Sequence, residues 1–276
     1  MPARILNANG VDLCVETFGE RSAPAILLIM GMSASMDWWE TEFCERLAAG
    51  GRFVIRYDLR DTGQSVTYEP GSPGYSARDL VDDALGILDA LDLARAHVAG
   101  QSMGGALAQI VALDHPERVA SLTLATTSFA DRTEHDLPGM RPELREAFAM
   151  PEPDWNDREA TLDYLTAFSR AFASPSHPPE DRALWNHVVE RTRSIESSMR
   201  NHALIEETAS DRVLGELDIP VLVIHGTEDP LLPHEHGVAL ARSIPGATLL
   251  TLEETGHELP PRTWDVVVPA ILELTA

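Results

Sequence analysis

Apolar positions along this chain fall into short buried-strand runs and longer stretches of helical spacing, and the two alternate through most of its length. Ala25 to Met30 is an unbroken apolar run, as a strand covered on both faces requires, and Phe53 to Tyr57 is the next strand. Ahead of them, Arg4 to Asn7 and Val11 to Phe18 flank Asn9-Gly10, a dipeptide that favours a two-residue hairpin, so an antiparallel start is expected. A helix is predicted from about Trp38 to Ala49, closed by Gly50-Gly51. Ser76, with Asp79 three residues on, reads as a capping box opening a helix through Leu91. The strand Ala96 to Gly100, the helix Ala106 to Leu113 and the strand Arg118 to Thr126 follow. Later come the strand Ile219 to Gly226, a helix Glu235 to Ser243, the strand Thr248 to Leu252 and a last helix Arg262 to Leu274. Repeated β-α units without internal sequence repeats predict an α/β fold, a mostly parallel sheet flanked by helices.

The alternation breaks between Ser128 and Gly215, where helical patterns (Thr161 to Ala173, Ala183 to Arg193) are separated by proline-rich stretches around Pro151-Pro153 and Pro175-Pro179. This predicts a core formed by residues 1–127 and 216–276 and a helical cap formed by 128–215.

Val98-Ala99-Gly100-Gln101-Ser102-Met103-Gly104-Gly105 carries the chemistry, because it runs from a strand through Gly-x-Ser-x-Gly into a helix. A serine on so tight a turn projects beyond the sheet, and the turn closes only if the residues two before and two after are small, as Gly100 and Gly104 are. The helix that follows directs its N-terminal amides toward developing negative charge.

A neutral serine hydroxyl is a weak nucleophile and needs a histidine base with a carboxylate to orient it. Of ten histidines, His257 has the right address, on a loop after the Leu249 to Leu252 strand at the carboxyl edge of the sheet. His225 lies inside a strand and reads as structural. Asp229, leaving the Val221 to Ile224 strand, is the orienting acid expected, with Glu228 its rival and turn initiation before Pro230 its bland alternative. The order Ser102, Asp229, His257 is the one this chemistry follows on such sheets. The oxyanion donors expected are the backbone amides of Met103 and Met32, the latter on the loop after the Ala25 to Met30 strand. In the cap, Phe168 and Trp185 are the aromatic side chains expected to touch substrate, within a set that also packs the cap itself.

Composition narrows the classes. The 276 residues carry 44 acidic and 21 basic side chains, a formal charge of −23 that opposes nucleic acid and anionic membranes as partners. Every basic residue is Arg, so Schiff-base and P-loop lysine chemistry are absent. Cys14 and Cys44 lack metal or disulfide spacing and read as buried apolar fillers, so no cofactor and no metal is expected. No signal-like N-terminus or long apolar run is present, which predicts a cytoplasmic protein.

Arg56 to Ser65, the Met-Gly loop, Gly-x-Ser-Met-Gly and Gly256-His257-Glu258-Leu259-Pro260 together resemble the α/β-hydrolase superfamily with a helical cap, and within it the aclacinomycin methylesterase group. That resemblance implies a serine hydrolase acting through an acyl-enzyme on a methyl or small-alkyl ester of a hydrophobic, polyketide-like molecule. Carbon-carbon bond hydrolysis by the same triad, or a catalytically silent binding protein, are the alternatives.

Overall fold

The computed structural model describes residues 2–133 and 135–276. Eight strands form one sheet: β1 (Arg4–Ala8), β2 (Val11–Phe18), β3 (Ala25–Ile29), β4 (Phe53–Tyr57), β5 (Ala96–Gln101), β6 (Val119–Ala125), β7 (Val221–Gly226) and β8 (Thr248–Leu252). Their order is β1-β2-β4-β3-β5-β6-β7-β8. The pairings β1/β2 and β2/β4 are antiparallel and the rest are parallel. Asn9 (φ 49°) and Gly10 (φ 77°) make the hairpin turn with both central residues left-handed, which suits the twist of the strands they join.

Two helix layers cover the sheet. On one face lie α2 (Ala77–Ala90), α3 (Met103–Asp114) and α8 (Glu235–Ser243); on the other lie α1 (Thr41–Ala49) and α9 (Trp264–Leu274). The two-residue period of a strand explains the unbroken apolar runs. Leu27 and Ile29 feed the α2/α3 face while Ile26, Leu28 and Met30 feed the α1/α9 face, and Val221 and Val223 oppose Leu222 and Ile224 in the same way. At the start of α2, Asp79 accepts from both the amide and the hydroxyl of Ser76 at 2.8 Å. Helix α3 begins three residues earlier than its apolar spacing predicts, directly after Ser102, through two glycines whose packing outweighs their poor propensity.

Between β6 and β7 the chain leaves the sheet and forms α4 (Pro142–Phe148), α5 (Arg158–Phe172), α6 (Arg182–Arg191) and α7 (Ile195–Asn201). Leu162, Leu165, Trp185 and Val188 form a small apolar cluster of their own. Helices α4 and α7 escape the sequence reading for a physical reason. Each has only seven residues, and the fully buried positions of α7 are Ser197, Ser198 and Asn201, which leaves Ile195 and Met199 as its one apolar pair at helical spacing.

Polar contacts tie this excursion to the sheet. The Arg191 guanidinium at the end of α6 reaches Asp37 Oδ2 and Asp58 Oδ1, both at 2.6 Å, and both carboxylates are buried. The Arg193 amide donates to the Gly63 carbonyl at 2.9 Å. Among the described residues no helix is long and apolar enough to cross a membrane.

Candidate active site

Ser102 sits between β5 and α3 with φ 53° and ψ −122°, a conformation that L-residues adopt only when the surroundings enforce it. The enforcement is visible at its neighbours. A Cβ on Gly100 would lie 2.1 Å from the Gly104 carbonyl oxygen, and one on Gly104 would lie 2.3 Å from the Ile29 carbonyl oxygen. Backbone packs on backbone here, so only glycine fits. The strained serine is thereby lifted over the carboxyl edge of the sheet, at the N-terminus of α3.

His257, on the loop between β8 and α9, has Nε2 2.8 Å from Ser102 Oγ and Nδ1 2.8 Å from Asp229 Oδ2. A carboxylate only accepts, so Nδ1 carries the proton and Nε2 is left to accept from the serine hydroxyl. Asp229 follows β7 and is fully buried. Its Oδ1 accepts the Leu231 and Leu232 amides, both at 2.9 Å. Burial by itself raises this carboxyl, but His257 and His225 outweigh it and hold it below the usual carboxylate range. The arrangement can pass a proton from serine to imidazole while an ionised acid steadies the imidazolium.

Glu228, the neighbouring acid, faces elsewhere. It accepts from the Ser174 and Ser176 hydroxyls just beyond α5, and the Ser174 bond holds its carboxyl low. His225 was read as structural because it lies within a strand. Its Nε2 is 2.7 Å from the Leu232 carbonyl and 3.3 Å from Asp229 Oδ2, so it also braces the turn that presents the acid. The signal for this was the four-residue spacing from His225 to Asp229 across the strand end.

Met103 is the first residue of α3, where backbone amides lack an intrahelical acceptor. Gly31 approaches so closely that an added Cβ would stand 3.2 Å from Ser102 Cβ, which brings the Gly31-Met32-Ser33 loop beside the serine. Among the described residues no acceptor takes the Met32 amide. Its side chain is half exposed.

A cavity of about 1380 Å³ opens over Ser102 and His257, walled by Met32, Trp38, Trp155, Tyr164, Phe168, Phe172 and Trp185. Both aromatic positions singled out from the sequence border it, in different ways. Phe168 stacks on Tyr164 and leans at a tilt against Phe172, while Trp185 is 5% exposed, packs edge-on against Trp38 at 4.8 Å and donates from Nε1 to Ser169 Oγ. Trp185 is therefore chiefly a brace of the wall. The end of α5 touches the histidine loop directly: the His257 amide donates to the Phe172 carbonyl at 2.8 Å, and a Cβ on Gly256 would meet that oxygen at 2.4 Å. Among the described residues no His, Cys, Asp and Glu group is arranged to hold a metal.

Residues 24–260 match the family model described as alpha/beta hydrolase fold. The chain is 32% identical to the rhodomycin D methylesterase of Streptomyces sp. (strain C5), over 98% of this chain and 97% of that one. It is 33% identical to a 2-hydroxymuconate semialdehyde hydrolase of Pseudomonas putida over 75% of this chain and 70% of that one. Among solved structures, a hydrolase from Pseudomonas aeruginosa PA01 superposes with a TM-score of 0.76 at 26% identity, covering 99% of this chain and 97% of the other.

Proposed function

This chain belongs to the α/β-hydrolase fold family, and from that premise we propose that it is a serine carboxylic-ester hydrolase that cleaves a methyl or other small-alkyl ester of a bulky hydrophobic molecule. The observation that carries the reading is the strained Ser102 with its hydroxyl 2.8 Å from His257 Nε2, in a chain alike over almost its whole length to a methylesterase of rhodomycin D. Ser102 Oγ attacks the ester carbonyl as His257 takes its proton. The Met32 and Met103 amides hold the oxyanion. His257 then protonates the departing alcohol and activates water, which releases the acid, while Asp229 steadies the imidazolium throughout.

The shape above the serine supports this substrate class. The cavity, lined largely by aromatic and other apolar side chains, suits a bulky apolar molecule, and small alcohols need little room to leave. Residues 1–127 and 216–276 are assigned as the hydrolytic core and 128–215 as a cap whose apolar side chains choose the ester, Phe168 by contact and Trp185 by shaping the wall.

Carbon-carbon bond hydrolysis is the second reading, supported by the likeness to the 2-hydroxymuconate semialdehyde hydrolase. The deciding experiment offers purified protein a polycyclic aromatic methyl ester, short p-nitrophenyl esters and a vinylogous 1,5-diketo acid, with Ser102→Ala as control. The ester reading expects methanol release from the polycyclic ester at the highest kcat/KM. Preferential cleavage of the diketo acid would replace it with the second reading.

A further inference from the structure

We propose that His202, at the end of α7, is a positioning residue that clamps the Gly31-Met32-Ser33 loop in the shape that aims the Met32 amide at the reacting carbonyl. This rests on the serine-hydrolase reading given above. His202 Nδ1 accepts the Ser33 amide at 2.8 Å, and its Nε2 lies 2.7 Å from the Arg60 carbonyl oxygen. A carbonyl only accepts, so the proton is on Nε2 and Nδ1 is the free lone pair that Ser33 needs. Both ends of one ring are thus committed, one to the loop beside the nucleophile and one to the chain following β4.

Three further observations agree. Ser33 has φ 61°, a left-handed conformation that costs free energy for a residue with a side chain and persists only where it is held from outside. The holding is two-sided, because Ser198 Oγ, also on α7, donates to the Ser33 carbonyl at 3.1 Å. The ring is 1% exposed, packs at right angles to the Tyr75 ring and sits beside Asn201, which is fixed to Asp61, and burial lowers its proton affinity. His202 does not border the cavity, although Met199, Arg200 and Ala203 around it do. It acts on the reaction only through Ser33.

The bond to His202 also sorts the donors. Past Gly31 the loop offers two amides, and the clamp engages that of Ser33 while that of Met32 keeps no acceptor among the described residues. The helical segment between β6 and β7 thereby supports the oxyanion side of the reaction as well as the wall of the cavity. A backbone donor misplaced by about 1 Å can cost about 10²-fold in rate.

The test uses the whole protein and compares His202→Gln with His202→Asn. Gln keeps a polar group at the ε position and has none at the δ position, whereas the Asn amide oxygen stands where Nδ1 accepts from Ser33. The probe is an aryl-alkyl trifluoromethyl ketone. Ser102 Oγ bonds to its carbonyl carbon, the carbonyl π pair becomes the oxyanion and the serine proton moves to His257, so affinity reads the oxyanion donors. His202→Gln is expected to bind the ketone about 10- to 100-fold more weakly and to lose kcat on a p-nitrophenyl ester by a like factor with KM unchanged, and His202→Asn to recover most of both. A folded Gln variant with parental ketone affinity, or an Asn variant as impaired as Gln, would overturn the clamp. Nitrogen-15 NMR of the parent chain decides it without any substitution: the neutral Nε2–H tautomer and a slowly exchanging Ser33 amide are expected, and an Nδ1–H tautomer or a fast-exchanging Ser33 amide refutes it. Should the parent chain neither hydrolyse esters nor bind the ketone, the hydrolase reading fails, and the tautomer still decides the clamp.

Discussion

The sheet with its flanking helices and the helical segment between β6 and β7 solve the same problem, holding side chains around Ser102, by different physics. The sheet does it with apolar mass. Its central strands β3 to β7 are buried on both faces, and Ser102, Asp229 and His257 leave the carboxyl ends of β5, β7 and β8, where neighbouring strands fix their separation. The helical segment has only a small apolar cluster and is fastened by directed polar contacts: Arg191 to Asp37 and Asp58, His202 to Ser33 and Arg60, Ser174 to Glu228, and the Phe172 carbonyl to the His257 amide. An apolar core tolerates little change in shape. Helices held at a few polar points can vary their inner face without disturbing the centre below them, which fits the substrate-selecting role proposed for this segment.

The sharpest way to break this contrast is at the fixed centre. Ser102→Ala or His257→Ala should each lower kcat by about 10⁴- to 10⁶-fold with the fold intact, and the double variant should be no worse than either single one. Multiplying losses would mean the two residues do not act together. Asp229→Asn comes next, with a loss of about 10⁴-fold, because an amide favours the wrong imidazole tautomer. Glu228→Gln should stay near the parent on a short ester and instead expose the 174–176 segment to proteolysis. The reverse ranking would move the acid to Glu228. The lowered Asp229 carboxyl adds a pH test. The stability it contributes is present above about pH 4 and is lost only as pH falls through its depressed folded value, so the melting curves of parent and Asp229→Asn should converge in strong acid.

Smaller effects probe the fastening. Arg191→Met leaves two buried carboxylates uncompensated and should cost about 3 kcal/mol, read as a melting shift of roughly 6 to 12 °C, with hydrogen exchange accelerating first in α5 and α6. Loss of protection spread evenly over the sheet would refute the idea that this pair fastens the segment in particular. The smallest effect is on choice of substrate. Phe168→Ala should shift the ratio of kcat/KM between a polycyclic methyl ester and an acetate ester by about tenfold to a few hundredfold, since apolar contacts discriminate by only about 1 to 3 kcal/mol. Trp185→Ala should shift it less at equal stability, because Trp185 is 5% exposed and braces the wall more than it faces the cavity. Unchanged ratios for both would remove the segment from substrate selection.

How much of this was legible in the chain depended on how local the signal was. The central strands of the sheet were readable because burial on both faces leaves a mostly apolar run, the first two because of the Asn9-Gly10 turn, and Ser102 because its turn needs glycines at fixed positions on either side. Asp229 and His257 were readable as addresses at strand ends. Helix α7 was not, because its fully buried positions are serine and asparagine and look like a solvated surface.

The sequence by itself determined the alternation of strands and helices, its interruption between β6 and β7 and the serine turn, since each depends on contacts within a few residues or on a period that burial imposes. Only the tertiary structure decided which acid meets His257, since Asp229 and Glu228 are adjacent in the chain and point to different partners. It likewise decided that His202 and His225, ordinary histidines in the sequence, serve the Ser33 loop and the Asp229 turn. A hydrogen bond across 169 residues leaves no trace in local pattern, because its partners are chosen by where the sheet edge and the helices above it come to lie.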